Sequence, residues 1–240
     1  MQPPHDSTGT GMFHYDDLKP WGRSFDEYRR MFALDEADLK KCIVGCGDGP
    51  ASFNQELTAR GGTVVSVDPI YRFTAAQIRE RIDATYDNVI EQTRANQEKF
   101  VWTTIGSVEE LGRTRMASMQ RFLEKYETGR AEGRYVAAEL PHLPFANGAF
   151  QLALCSHALF LYSDLLDADV HHAWLAEMCR VGGEARIFPL LDYNANRSEH
   201  VDPVVARLKR QGFEVSIETV PYEFQRGGNE MLRVVDWSGS

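Results

Sequence analysis

Cys42-Ile43-Val44-Gly45-Cys46-Gly47-Asp48-Gly49-Pro50 is the stretch that decides the fold. A short apolar run, Lys41 to Val44, breaks into alternating glycines. Pro50 to Arg60 then reads as a helix that stops at Gly61-Gly62. Pro50 suits a first helical position, because the N–H it lacks would be unpaired there anyway. Glycines between strand and helix let the chain turn tightly and let a ligand approach with no Cβ in the way. The next run, Thr63 to Val67, is β-branched and ends at Asp68-Pro69. An acid about 20 residues beyond a glycine loop, at a neighbouring strand end, is placed to accept from both hydroxyls of a ribose.

Working outward, Tyr135 to Ala138, Phe150 to Cys155 and Glu184 to Leu191 are further short apolar runs. Ala168 to Arg180, stopped by Gly182-Gly183, and His200 to Gln211, stopped by Gly212, read as helices. Strands alternating with helices predict a parallel sheet covered on both faces. The last runs, Phe213 to Val220 and Met231 to Val235, are joined only by Pro221 to Glu230, with Gly227-Gly228-Asn229 as turn residues. That link is too short for a parallel crossover, so an antiparallel hairpin should close the sheet. Between Asp68 and Tyr135 the chain is instead too long for one crossover. Ile78, Ile82, Tyr86, Val89 and Thr93, then Val108, Leu111, Met119, Phe122 and Tyr126, recur at helical spacing. They predict an inserted helical pair over residues 74–130, near the mouth of a site.

The whole is read as one domain of 240 residues, 43% hydrophobic, with formal net charge -9. That acidity disfavours nucleic-acid partners, which need a basic footprint. No apolar run approaches the ~20 residues of a membrane span, and residues 1–20 show neither the charged start nor the apolar core expected of a signal peptide. Residues 1–34 read as a tail frayed through Gly11 and then a lid-like segment. A cytoplasmic location, with no membrane partner, is expected. Cys42, Cys46, Cys155 and Cys179 form no Cys-x-x-Cys pair and are read as reduced, buried thiols, with no metal site.

The glycine spacing separates two ligand classes. A dinucleotide fingerprint wants a third glycine at the sixth place, where the helix meets pyrophosphate, and Pro50 stands there. S-adenosylmethionine (SAM) has no phosphate and asks only for close backbone approach, which Gly45, Gly47 and Gly49 permit.

With Ala138-Glu139-Leu140-Pro141-His142-Leu143-Pro144-Phe145 and the run on to His157, the chain resembles the class I SAM-dependent methyltransferases. The likeness covers about two-thirds of it. The resemblance implies a Rossmann-like α/β fold, with a mostly parallel seven-stranded sheet and an antiparallel last strand. It implies SAM as cofactor, with contacts from Gly45, Cys46, Gly47, Gly49, Asp68, Pro69, Glu139, Leu140 and Ser156, and Glu139 near the adenine amino group. Two residues depart from the family pattern. Ile43 replaces the acid that opens the glycine motif and often helps order the methionine end. Gln151 replaces an Asp at the fourth strand.

Methyl transfer is an in-line displacement that needs proximity, a dry site and sometimes a base. His157, past the fourth strand, titrates near neutrality when unperturbed and is the base candidate. Tyr193 and Asn194, with Asn196 and Ser198, follow the fifth strand at the same edge and could orient an acceptor, and Tyr162 could line the cavity. Arg23, in Tyr15 to Phe25 ahead of a helical run at Asp26 to Phe32, is read as the partner of the methionine carboxylate. His171 and His172 are read as surface residues. The reading is therefore a methyltransferase acting on a small molecule in a lidded pocket, with a homodimer left open. Its alternatives are an azetidine-2-carboxylate synthase-like enzyme that cyclises or cleaves SAM itself, and a non-catalytic SAM-binding module.

Overall fold

The computed structural model describes residues 19–236. The expected frayed tail and the Tyr15 to Leu18 part of the N-terminal segment lie outside them. Seven strands form one sheet in the order β3-β2-β1-β4-β5-β7-β6. They are β1 Cys42–Cys46, β2 Thr63–Val67, β3 Tyr135–Val136, β4 Leu152–Ser156, β5 Glu184–Phe188, β6 Glu214–Thr219 and β7 Glu230–Val235. The first five run parallel. Strand β7 is antiparallel to both β5 and β6, so the hairpin forms and its second strand sits inside the sheet. This is a Rossmann-like α/β sheet, mostly parallel and closed by an antiparallel hairpin, as the sequence predicts. Strand order reverses between β1 and β4, the place where open α/β sheets leave a ligand crevice.

Both β4 and β5 are buried along their whole length, as strands covered on two faces should be. One face packs Val44, Cys46 and Cys155 against Leu175 and Met178 of helix α5 (Ala168–Gly182) and Val204 of α6 (Val201–Arg210). The other packs Ile43, Leu152 and Leu154 against Phe25, Tyr28 and Met31 of α1 (Phe25–Met31) and Phe53 of α2 (Phe53–Ala59). Ile43 therefore sits in the core, where an acid would be stranded. Gln151 also has a structural role. Its side-chain oxygen accepts the Cys42 N–H at 2.9 Å, pinning the start of β1 to β4.

Three expectations need correction. Pro50 does not open a helix, and α2 begins only at Phe53. The N-terminal segment lies across this turn. A Cβ on Gly22 would stand 2.0 Å from the Pro50 carbonyl oxygen, and the Ser52 N–H donates to the Arg23 carbonyl at 3.0 Å. Cys42 is exposed while the other cysteines are buried. His171 is fully buried, stacked on Phe160 (centroids 5.3 Å apart) and tilted against His200 (4.5 Å), because the surrounding 3-10 turn and α6 cover that side of α5.

The insertion is helical as expected, with α3 at Ala75–Ala95 and α4 at Val108–Ala131. Ile78, Ile82, Met119, Phe122 and Tyr126 pack with Tyr71 and Tyr135 in a separate cluster. Two connections tie it down. Arg115 of α4 donates from Nη1 to both carboxylate oxygens of Glu27 on α1 at 2.6 Å, with side chains 1% and 3% exposed. Between α3 and α4, Val101 N–H donates to the Phe224 carbonyl at 2.7 Å, and the Phe100 and Phe224 rings stack at 4.9 Å. The insertion thus bridges from the N-terminal segment to the β6–β7 connection, over the carboxyl edge of the sheet.

Replacing Arg115 with Met leaves Glu27 buried without its cation and should cost about 3–5 kcal/mol in urea unfolding. The double variant Glu27→Gln/Arg115→Met should recover most of it. A single-variant loss within experimental error would mean that the pair does not hold the insertion.

Candidate functional site

The glycine loop has the geometry its sequence requires. Gly47 and Gly49 have φ of +70° and +54°, left-handed values that favour glycine. The Gly47 N–H donates to the Val67 carbonyl at 2.8 Å, which fixes the loop to the end of β2. A Cβ on Gly47 would come within 3.0 Å of Ala158, the residue after His157. Asp68 accepts from the backbone N–H of Gly49 and of Ile70, both at 2.8 Å. Tyr71 donates to the Gly49 carbonyl at 2.7 Å. Burial pushes the Asp68 carboxyl up to about 6 against those N–H bonds, and the charge of Glu139 adds to the rise. Glu139, just past the end of β3, is near enough for its charge to be felt at Asp68. Beside them, Pro69, Arg72, Ala137, Ala138 and Glu139 line a pocket of about 160 Å³.

Asp48 folds back beneath this loop. A Cβ on Gly45 would stand 2.0 Å from its Oδ2, so only glycine admits the carboxylate there. It accepts from the Tyr28 hydroxyl at 2.8 Å and from Ser66 Oγ at 2.6 Å, and is 7% exposed. Burial pushes it up to about 6, the two hydroxyls offset part of that rise, and Asp68 adds to it.

The strap formed by residues 19–24 and α1 closes the next side. Ser24 caps α1 in a reciprocal box with Glu27, whose Oε1 also accepts from the Tyr222 hydroxyl at 2.9 Å. Arg23 donates from Nη1 to the Trp21 carbonyl at 3.2 Å, while its Nε is buried without a partner. Burial, and then the charge of Arg115, lower Arg23 to about 10. His157 lies opposite, at a left-handed φ of +55°, with its N–H on the Phe188 carbonyl at 2.7 Å and Nδ1 2.9 Å from Ser156 Oγ. Burial, then Arg23 and Arg115, hold its imidazole well below the usual histidine range. That shift works against the titration near neutrality expected of an unperturbed histidine. The ring is uncharged at physiological pH and is better suited to hydrogen bonding than to taking a proton.

The remaining expected residues divide. Ser156 and Leu140 are buried at the same edge, and the Cys46 side chain points into the core, leaving only its backbone to a ligand. Tyr193 is 57% exposed at the rim, with its hydroxyl 3.5 Å from Gln92. The backbone N–H groups of Asn194 and Asn196 close a turn on Asp192. Neither Tyr193 nor Asn194 hydrogen-bonds His157. Ser198 is buried, with its hydroxyl 2.6 Å from that of Ser163. Tyr162 is held protonated chiefly by burial, with Arg23 opposing the rise and Asp68 adding to it.

Sequence reasoning missed Tyr28, Glu27, Arg115 and Tyr222 and gave Asp48 no role. The one available signal, Ser24 followed by Glu27, explains a helix cap and conceals the longer-range partner. No grouping of His, Cys, Asp and Glu suited to a metal occurs among the described residues. No helix among them is long and apolar enough to cross a membrane.

The chain belongs to the same family as the uncharacterized protein MJ0045 of Methanocaldococcus jannaschii. The two are 32% identical over 212 residues, 88% of this chain and 93% of that protein. No family model matches the chain. Among solved structures, magnesium protoporphyrin IX methyltransferase from Synechocystis PCC 6803, with bound SAM, is 11% identical with a TM-score of 0.43, covering 88% of this chain and 90% of that one. Burkholderia thailandensis 1,6-didemethyltoxoflavin-N1-methyltransferase is 13% identical with a TM-score of 0.45, covering 86% and 75%. A SAM-dependent methyltransferase from Aquifex aeolicus is 13% identical with a TM-score of 0.42, covering 92% of each chain. Likeness this distant carries no functional weight.

The Asp48 carboxyl gives a signed pH dependence. Its folded value, about 6, lies above the ordinary 3.8, so the ionised form is the less stable one inside the fold. The stability it contributes is complete below pH 4 and lost as pH rises through 6. Asp48→Asn should therefore match the wild type near pH 4 and exceed it by up to about 3 kcal/mol above pH 7 in chemical unfolding. A variant less stable at every pH would show that the ionised carboxylate is worth more to the fold than its burial costs.

Proposed function

We propose that this chain binds S-adenosylmethionine along the carboxyl ends of β2, β1 and β4 and transfers its methyl group to a small molecule in the cytoplasm. The observation that carries the proposal is Asp68, held by the Gly49 and Ile70 N–H groups at the end of β2, with Glu139 lining a small pocket next to it, at a glycine turn built unlike a phosphate-binding one. The helix after the glycines starts late, and the Ser52 N–H that could meet pyrophosphate is given to the Arg23 carbonyl. A nucleoside without phosphates fits this edge. Asp68 would take the ribose hydroxyls, and Pro69, Glu139 and Leu140 would surround the adenine. The backbone of Gly45, Cys46, Gly47 and Gly49 would run along the thioether, and Ser156 and Arg23 would approach the methionine end.

When bound, SAM supplies a methyl group on a sulfonium, ready for in-line displacement. The protein's task is to align an acceptor and keep out water. The insertion, the strap and residues 221–226 enclose the edge, and His157 is offered to the acceptor as a neutral hydrogen-bonding group. Tyr193 and Asn194 would act at the rim, where an acceptor enters. The net charge of -9 favours a small molecule over a nucleic acid as that acceptor.

Mass spectrometry of the protein incubated with SAM tests the reading. SAM should bind and stay intact alone, with S-adenosylhomocysteine released once a metabolite mixture supplies an acceptor. Asp68→Ala should weaken SAM by roughly 10–100-fold, as loss of hydrogen bonds to a charged group implies. Methylthioadenosine formed from SAM alone would replace transfer by consumption of SAM itself. Failure to bind SAM would overturn the proposal.

A further inference from the structure

His157 is fixed in the site by several contacts, and none of them is to an anion. Its backbone keeps a left-handed φ of +55°, a costly conformation for a residue with a side chain, through the N–H bond to the Phe188 carbonyl at 2.7 Å. The imidazole meets the Phe188 ring edge-on, with centroids 5.5 Å apart. Nδ1 lies 2.9 Å from Ser156 Oγ, and that hydroxyl, 5% exposed, lies 4.0 Å from the sulfur of Met31 on α1. Nε2 makes no hydrogen bond among the described residues, and the side chain is only half-buried. The charges that act on the ring are the cations Arg23 and Arg115.

These contacts select one tautomer. A thioether accepts hydrogen bonds and cannot donate them. The Ser156 hydroxyl therefore turns its hydrogen towards Met31 and receives the Nδ1–H of the ring, which leaves the lone pair on Nε2. The two guanidinium groups favour the same form, because a cation attracts a bare ring nitrogen and repels an N–H, and Nδ1 is already engaged. Resting on the SAM reading, we infer that Ser156 is a positioning residue that fixes His157 as a hydrogen-bond acceptor, and that the methyl acceptor is a neutral amine giving one N–H to Nε2.

An amine held in this way keeps its lone pair free to point at the methyl carbon. Transfer then balances without a base. The lone pair forms the N–C bond, the electron pair of the C–S bond stays on sulfur, and the positive charge passes to the methylated ammonium. That product gives up its proton to water after leaving. A hydroxyl can make the same hydrogen bond, but its methylated oxonium would have to lose its proton within the site. His157 is poorly placed to take it, since a hydroxyl and not a carboxylate lies on Nδ1, and nothing there would stabilise an imidazolium.

Nitrogen NMR of protein labelled in its histidine rings, bound to S-adenosylhomocysteine at pH 7.5, reads the tautomer, with His157→Gln assigning the signal. Wild type should show a protonated Nδ1 and a bare Nε2. Ser156→Ala should convert much of the signal to the Nε2–H form, and Ser156→Thr, which keeps the hydroxyl, should restore it. In turnover with SAM, mixtures of alkylamines and arylamines should yield S-adenosylhomocysteine and mixtures of alcohols and phenols should not. Ser156→Ala should lower kcat on a responding amine by roughly 3–10-fold, the worth of one neutral hydrogen bond. A wild-type Nε2–H tautomer, or a Ser156→Ala spectrum like that of wild type, would overturn the positioning role. Turnover with hydroxy compounds alone, or none with amines, would overturn the amine class. Protein that does not bind S-adenosylhomocysteine would remove the SAM reading itself, whereas binding with the wrong tautomer would remove only this inference.

Discussion

The ion pair between Glu27 and Arg115 joins residues 88 positions apart in the chain, and the shape of the site depends on it. Glu27 belongs to the N-terminal helix and Arg115 to the insertion, while Tyr222, bonded to the same carboxylate, belongs to the β6–β7 connection. One buried carboxylate thereby ties together three segments that are not part of the central sheet. Burial alone would raise Glu27, yet Arg115 and the backbone of Ser24 hold it down at about 2. It remains an anion across physiological pH. Buried pairs of this kind add little net stability over an apolar replacement, but removing one member strands the other. Their value here is in fixing which segments meet.

That constraint propagates inward. With α1 held by Glu27, the strap ahead of it is pressed onto the turn at Pro50, and Arg23 faces the sheet edge with its carbonyl on Ser52. With α1 fixed, Tyr28 reaches Asp48 beneath the glycine loop. The late start of α2, the direction of Arg23 and the placement of Asp48 are thus consequences of one packing arrangement. The same enclosure lowers His157, chiefly by burial, with the charges of Arg23 and Arg115 adding to it. An enclosed site with a neutral imidazole suits chemistry in which alignment and exclusion of water matter more than proton removal.

Much of this was legible in the sequence. The glycine loop, Asp68, the terminal hairpin and the helical insertion follow from local backbone demands, such as left-handed glycines, β-branched runs and a ten-residue link too short for a crossover. The illegible parts depend on distant partners. Pro50 carries a sound helix-start signal that the strap overrides. His171 has the sequence neighbourhood of a surface residue, but α6 and Phe160 cover it. Glu27 and Arg115 look like ordinary charged positions on amphipathic helices, since nothing local marks a charge whose partner lies on another element. Ile43 and Gln151 stand out in the sequence as departures from the family pattern. Their explanations, a core position and a strand-pinning amide, require the packed sheet.

The central claim is that a nucleoside lies along the carboxyl ends of β2, β1 and β4, with its amino-acid end beneath the strap. A crystal structure of the protein with S-adenosylhomocysteine tests it most directly. The account predicts ribose hydroxyls on Asp68, adenine in the pocket beside Pro69 and Glu139, and the ligand carboxylate on Arg23. A ligand bound elsewhere, or bound at this edge with Arg23 turned away and the strap displaced from Pro50, would contradict it.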